Sequence, residues 1–234
     1  MDKARKRLTG LFSLAGLVAS LCLCAPLVYA AYPGMLSTES KNFSETPDRK
    51  EDFLRKKGVN DVKGSPVAPV YRVQTDAHLI ALTFDDGPHP VYTEKILALL
   101  KEKKVKATFF LNGAQVRKHP GLVKQIVKRG HEVGNHGYLH RDLTKLSPVE
   151  IYQDLHQSHR LIERVSGQKV AYFRPMGGKL NQAVLECARQ LGLQVVLWSV
   201  DPKDWDVSNP ADNMEKTMMD ETASGDIILL HDGG

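Results

Sequence analysis

Short apolar runs alternate with amphipathic stretches from about residue 76 to the end of the sequence. The apolar runs are continuous rather than alternating, which is typical of strands buried on both faces of a sheet. We therefore predict six short, buried strands. The runs are LIALTF (79–84), ATFFLN (107–112), HEVGNH (131–136), VAYFRP (170–175), VVLWSV (195–200) and DIILLH (226–231).

The segments between these runs carry apolar residues at helical spacing, and several begin at Pro, Ser or Asn and end at Gly. Strands that alternate with helices indicate a parallel sheet with helices packed outside it, as an α/β sheet or barrel. The predicted helical segments are 92–104, 120–130, 147–167, 181–192 and 210–225.

The first 75 residues have a different texture. Residues 1–30 combine the cationic start MDKARKR with an apolar stretch and the small residues of Val28-Tyr29-Ala30, which is typical of an export signal. Cleavage after Ala30 is the favoured outcome, and an uncleaved membrane anchor is the alternative, since the stretch is about long enough to cross a bilayer. Residues 31–75 are polar and indicate a linker, so the catalytic domain is expected at 76–234. Either outcome places that domain outside the cytoplasmic membrane, in the cell wall or medium or anchored and facing outward.

Charge and cysteine content exclude two classes of protein. The net charge is +5, but much of the excess lies in residues 1–30, and no basic stripe is interleaved with aromatic residues, so no nucleic-acid partner is expected. Cys187 is the only cysteine beyond the N-terminal apolar stretch, which leaves the domain without a disulfide or a cysteine-based zinc site. We expect Cys187 to be a small buried hydrophobe.

Reactive side chains follow the carboxyl ends of five of the predicted strands. In a β/α fold these ends share one face, which is where catalytic residues usually lie. We therefore expect one site that gathers Asp85, Asp86, His136, Arg174, Asp201, Asp204 and His231.

His136 and His140 are four residues apart in NHGYLH, a spacing that lets two imidazoles bind one ion. The pair alone is weak evidence, because two solvated histidines give the same spacing. A carboxylate from the Asp85–Asp86 pair on the same face completes a three-ligand metal site with open positions. One aspartate would then bind the cation, and the other would take a proton from the water that the cation activates.

An acid and an orienting group are also needed for hydrolysis of an acyl group. His231 is the candidate acid because imidazole titrates near neutral pH, and Asp204 is placed to hold it. Arg174 is placed to pair with the free aspartate and keep it ionised. The structural alternative for His231 is a histidine buried in the core. The structural alternative for Arg174 is an ion pair at the surface.

Five motifs, in this order, carry a resemblance to a known family: TFDDGP, NHGYLH, FRPMGG, DPKDW and LLH. Over about residues 76–234 the sequence resembles the polysaccharide deacetylases, the NodB-like carbohydrate esterases. The resemblance implies a distorted, incomplete β/α barrel of the NodB type. It also implies metal-dependent removal of N-acetyl groups from chitin or peptidoglycan, or of O-acetyl groups from xylan. The expected partner is an acetylated amino-sugar polysaccharide.

The resemblance also implies a role for each matching residue. Asp85 is the general base, and the ligands are Asp86, His136 and His140. Arg174 orients the base, Asp204 tunes the general acid His231, and Gly177 offers its backbone N–H to the oxyanion. Trp205 and Leu229 line the pocket for the acetyl methyl group. Zn²⁺ is the first choice of cation, with Co²⁺, Mn²⁺ and Ni²⁺ open.

Three departures from the family pattern bear on activity. Gly137 stands where Ser or Thr is usual, which removes a hydroxyl that braces the metal loop, and RPMGG replaces the more usual RPPYG. The sequence stops three residues after His231, so we expect the C-terminal helix and strand of the family to be missing and stability or activity to be low. A catalytically weak or inactive binding or regulatory protein is therefore the alternative. An iron oxygenase is a third possibility, which the spare Asp85 and His231 disfavour.

Overall fold

The computed structural model describes residues 68–233, so the predicted export signal (1–30) and residues 31–67 of the predicted linker (31–75) lie outside the described residues. Six parallel strands form one sheet in the order β5-β4-β3-β2-β1-β6. The strands are β1 (Ala81–Asp85), β2 (Thr108–Leu111), β3 (Glu132–Asn135), β4 (Tyr172–Phe173), β5 (Gln194–Val195) and β6 (Ile227–His231). The prediction of six strands and of their parallel arrangement is confirmed.

Helices connect the strands and pack around the sheet. They are α1 (Tyr92–Lys103), α2 (Gly113–Lys118), α3 (Pro120–Lys128), α4 (Pro148–Ser166), α5 (Gln182–Gln190) and α6 (Ala211–Glu221), with 3-10 turns at Leu143–Lys145 and Met176–Gly178. All but α2 were predicted. The longest, α4, begins with a capping box between Ser147 and Glu150 and ends at Gly167 in the left-handed conformation.

The sheet curls into a half-barrel that closes irregularly. The run VVLWSV predicted a longer strand, but only Gln194–Val195 are in β5. Beyond β5 the chain changes partners: Val196 bridges Val70, and Val200 bridges Ile228 of β6. This is the distorted, incomplete barrel that the family resemblance implies.

The segment before residue 76 contributes to the domain. Val70 pairs with the chain after β5, and Arg72 bridges Asp226, with Nε of Arg72 2.6 Å from the buried carboxylate. These contacts join residues 70–72 to the sheet, and the boundary at residue 76 stays a prediction.

The core lies between the sheet and its helices. Fully buried side chains come from the strands, including Phe109 and Phe173, and from the inner faces of the helices, including Leu97 and Ile162. Cys187 is buried as expected, and burial raises the pKa of its thiol to about 11. Among residues 68–233, no helix is both long and apolar enough to cross a membrane.

Candidate metal centre and active site

The predicted site residues meet at the carboxyl ends of the strands. Asp85 is the last residue of β1, and it lies beside His231, the last residue of β6, in the parallel register. His136 directly follows β3, and Arg174 directly follows β4. A parallel sheet brings these ends to one edge, so residues up to 146 positions apart become neighbours.

Asp86, His136 and His140 form a cluster of potential metal ligands. Their ligand atoms all lie within 4.8 Å of one another. Oδ1 of Asp86 is 3.3 Å from Nε2 of His136 and 3.1 Å from Nε2 of His140. His136 is buried, whereas the His140 side chain is 52% exposed, so the cluster opens toward solvent on one side.

The tautomer of His136 favours a cation at this cluster. Nδ1 of His136 lies 2.7 Å from the backbone carbonyl oxygen of Arg174, and because a carbonyl can only accept, Nδ1 carries the hydrogen. Nε2 of the neutral ring then presents a lone pair toward Asp86. Oδ1 of Asp86 is buried and has no hydrogen-bond partner. A buried acceptor that faces another acceptor is satisfied by a cation, and two imidazoles with one carboxylate suit Zn²⁺ and related ions.

Charge keeps Asp86 in the form that a ligand needs. Burial alone would raise the pKa of this carboxyl, but the neighbouring imidazoles of His136, His140 and His231 outweigh that effect and lower the pKa below its usual value. Asp86 is therefore ionised at neutral pH.

The turn that presents Asp86 is supported by Asp232, a residue that the sequence did not indicate. Asp86 has a φ of 74°, and a Cβ on the next residue, Gly87, would come within 2.2 Å of the Asp232 carboxylate, so only glycine fits there. Oδ2 of Asp232 accepts a hydrogen bond of 2.5 Å from the Thr93 hydroxyl. The backbone N–H of Asp232 donates to the carbonyl of Asp85. Burial raises the pKa of Asp232 to about 7.

Asp85 has one oxygen held and one oxygen free. Nη1 of Arg174 donates to Oδ1 of Asp85 at 2.8 Å, and Oδ2 lies 3.9 Å from Nε2 of His136, on the side of the metal cluster. The two adjacent aspartates therefore face different partners. Asp86 belongs to the ligand cluster, while Asp85 stands beside it.

Arg174 is fully buried, which excludes the surface ion pair considered from sequence. Besides Asp85, its guanidinium donates to the Thr83 hydroxyl at 2.7 Å and to the carbonyls of Val196 and Leu197 at 3.1 and 2.9 Å. It also lies 4.1 Å from the centre of the Phe110 ring. Burial lowers the pKa of Arg174, and the Asp85 carboxylate offsets part of this effect.

Asp204 forms two hydrogen bonds with His231, one to the ring and one to the backbone. Oδ1 of Asp204 lies 2.7 Å from Nδ1 of the imidazole, and Oδ2 accepts the backbone N–H of His231 at 2.7 Å. With Nδ1 occupied, Nε2 is the nitrogen that can exchange a proton. Burial alone would lower the pKa of His231, but Asp204 outweighs it, with help from Asp85 and Asp86, and raises the pKa above its usual value.

The other predicted residues are placed less uniformly. Leu229 is buried within β6, whereas the Trp205 residue is 57% exposed, so its ring is largely open to solvent rather than enclosed in a pocket. Gly177 is exposed in the 3-10 turn after Arg174, with a φ of 59°. Asp201 accepts the backbone N–H of Lys203 at 2.8 Å and shapes the turn before Asp204.

The sequence matches a known protein family. A sequence profile described as polysaccharide deacetylase matches residues 72–196. The chain belongs to the polysaccharide deacetylase family. It is thus a member of an enzyme family of hydrolases, and the resemblance drawn from its five motifs is confirmed.

Individual relatives in the family have related names. A peptidoglycan-N-acetylglucosamine deacetylase of Bacillus cereus is 41% identical over 167 residues, which cover 70% of this chain and 77% of that protein. A chitooligosaccharide deacetylase of Sinorhizobium fredii is 39% identical over 166 residues, which cover 70% of this chain and 76% of that protein.

Among the solved structures that resemble this chain, one is described as a pseudoenzyme. A CE4 family pseudoenzyme from Bacillus anthracis superposes with a TM-score of 0.68 at 30% identity, over 80% of this chain and 71% of that chain. Membership of the fold therefore does not by itself establish turnover, and the individual residues of the site must decide it.

Proposed function

We propose that this protein is a divalent-cation-dependent deacetylase that removes N-acetyl groups from an amino-sugar polysaccharide, either peptidoglycan or a chitin-like chain. The observation that carries the proposal is the placement of a held carboxylate, Asp85, beside the ligand cluster, with a carboxylate-paired imidazole, His231, next to it in the sheet. The names of the relatives support the substrate class. The export signal predicted in residues 1–30 would deliver the domain to such a polymer. N-terminal sequencing of the secreted protein checks this, since cleavage after Ala30 would leave Ala31 as the first residue.

Asp86, His136 and His140 would hold the cation, which when bound supplies a Lewis acid for the amide carbonyl and lowers the pKa of the attacking water. Oδ2 of Asp85 accepts the proton of that water as it attacks. Arg174 fixes Oδ1 by its hydrogen bond, so the free oxygen stays aimed at the reacting centre.

The leaving amine needs a proton, which His231 donates from Nε2. Asp204 holds the ring by Nδ1 and stabilises the imidazolium before transfer. Gly177 is the proposed backbone donor to the oxyanion, and Leu229 and Trp205 the proposed contacts of the acetyl methyl group. The products are acetate and the free amino sugar, and the proton taken by Asp85 balances the one given by His231.

A binding or regulatory role without turnover is the second candidate, because a structural neighbour is a pseudoenzyme. Seven residues argue against it here, since each keeps the residue type and contacts that the reaction requires: Asp85, Asp86, His136, His140, Arg174, Asp204 and His231.

Acetate release distinguishes the two candidates. The purified protein is stripped with a chelator, reloaded with Zn²⁺ or Co²⁺, and incubated with N-acetylated peptidoglycan and with chitooligosaccharides. We expect acetate and free amino groups to appear in equal amounts, and only after reloading. A protein that binds the cation and the polymer but releases no acetate would support the binding role instead.

The pH profile of the reaction tests the pairing of His231 with Asp204. Because Asp204 raises the pKa of His231, the protonated acid persists to higher pH, and kcat falls as the pH rises through that pKa. Asp204→Asn removes the charge, so the pKa drops and the alkaline limb of kcat should move to lower pH. The limb should stay in place in Asp212→Asn, which changes an exposed carboxylate of α6. An unmoved limb in Asp204→Asn would show that another group is the acid.

A further inference from the structure

The two imidazole ligands of the proposed metal centre are held in different ways. His136 directly follows β3, is buried, and is anchored by the bond from Nδ1 to the Arg174 carbonyl. His140 lies four residues further along a loop, and its side chain is 52% exposed. Packing does not fix an exposed ring, so the course of the loop decides where Nε2 of His140 points.

One carboxylate beneath the loop receives bonds from both sides of His140. Asp154 of α4 has a side chain that is 1% exposed. Its Oδ1 accepts the backbone N–H of Tyr138 at 2.7 Å. Its Oδ2 accepts the side chain of Arg141 through Nε at 3.2 Å and Nη2 at 3.1 Å, with the N–H of Leu139 at 3.5 Å. Four donors of the loop therefore converge on this one carboxylate, three of them on Oδ2.

The start of the loop is held by further bonds to α4, to the first residue of α2 and to the last residue of β3. The carbonyl of Gly137 accepts from the Ser158 hydroxyl and from the backbone N–H of Gly113, each at 2.9 Å. Its N–H donates to Oδ1 of Asn135 at 2.8 Å. Gly137 has a φ of 81°, and a Cβ there would stand 3.1 Å from Oδ1 of Asp154. Bonds from Ser158 and Asp154 of α4 therefore brace the loop at the point where the usual Ser or Thr hydroxyl is absent.

We propose that Asp154 is a positioning residue for the metal ligand His140. By fixing Tyr138 before His140 and Arg141 after it, the carboxylate sets the backbone so that Nε2 of His140 faces Asp86. The inference rests on the proposed function only in taking Asp86, His136 and His140 as the cation's ligands. Groups that orient a metal ligand commonly change metal affinity by about 10- to 100-fold when they are removed.

Asp154→Asn tests this role with little change in shape. The carboxamide gives up acceptor positions and turns an N–H donor toward groups that are themselves donors. We expect the dissociation constant for Zn²⁺ to rise by about 10- to 100-fold, measured by competition with a chromophoric chelator. We also expect the visible spectrum of the Co²⁺-loaded protein to change, because the ligand geometry around the ion is altered.

Glu163→Gln is the matched control on the same helix. Glu163 also accepts a backbone N–H, that of Val170 at 3.3 Å, and pairs with Arg160 and His159, but it lies nine residues beyond Asp154. The Glu163 side chain is 22% exposed, so this variant should lower the melting temperature less than Asp154→Asn does, and it should leave Zn²⁺ affinity and the Co²⁺ spectrum unchanged.

The outcomes separate the two proposals. Wild-type affinity and spectrum in Asp154→Asn would overturn the positioning role alone, as would an equal loss of Zn²⁺ affinity in Glu163→Gln, since stability would then explain both. A wild-type protein that binds neither Zn²⁺ nor Co²⁺ would instead refute the metal centre, and the positioning role with it. Neither readout depends on the substrate or on turnover.

Discussion

Asp85→Asn is expected to lower kcat for acetate release by about 10²- to 10⁴-fold, the usual contribution of a general base, while the cation stays bound. The carboxamide cannot take the proton of the attacking water, but its oxygen can still accept the bond from Arg174 that Oδ1 of Asp85 accepts now. Asp85 also stands outside the ligand cluster. Measuring kcat and bound metal on the same preparation checks both parts.

Asp86→Asn provides the matched comparison, because it makes the same change one residue along the chain. This variant should lose metal and activity together, since Asp86 supplies the carboxylate oxygen of the cluster. The prediction is thus an asymmetry between neighbours. If Asp85→Asn released the cation as readily as Asp86→Asn, the separation of base from ligand would be wrong.

Much of this site could be predicted because its residues follow simple local signals. Strands buried on both faces read as continuous apolar runs, and five of the six runs here end in or are followed by a polar residue with reactive chemistry. Parallel connection then places those ends at one edge whatever the distance along the chain. The shared edge of Asp85 and His231 required no more than this, whereas the adjacency of β1 and β6 was not predicted from the sequence.

The fifth strand was overestimated for a reason that only the folded chain reveals. The apolar run continues past Val195, but the carbonyls of Val196 and Leu197 accept bonds from the Arg174 guanidinium, and the chain turns to pair with Val70. The Arg174 side chain thus supplies hydrogen bonds that a neighbouring strand would otherwise give to these carbonyls. The pattern of hydrophobic residues carries no information about a bond from a side chain that is distant in sequence.

The position of Asp154 in the sequence pattern could have indicated that its carboxylate is buried. It falls at helical spacing among the buried residues Ile151, Leu155 and Ile162 of α4. A carboxylate on the apolar face of a helix is costly unless it is paired, which indicates a hidden partner. The identity of that partner could not be predicted, because Tyr138 and Arg141 belong to a loop whose course depends on the whole fold.

Arg174→Met is expected to lower the free energy of unfolding by about 3–5 kcal/mol, as breaking a buried ion pair generally does. The change leaves the Asp85 carboxylate without its counter-charge and leaves the carbonyls of Val196 and Leu197 without their donor, all within a buried site. Activity should fall as well, because Asp85 loses the group that aims it. Urea unfolding followed by circular dichroism measures the stability.

Adding Asp85→Asn to Arg174→Met separates the cost of an unpaired Asp85 charge from the cost of losing the arginine side chain itself. The double variant removes the unpaired carboxylate, so it should be more stable than Arg174→Met alone, yet it should remain inactive because the base is gone. Arg160→Met, which removes an exposed partner of Glu163, should change stability little. If Arg174→Met proved no less stable than Arg160→Met, the guanidinium would not be the group that joins the strand ends around the site. Recovery of stability without recovery of turnover would instead show that the same buried pair supports the barrel and orients the base.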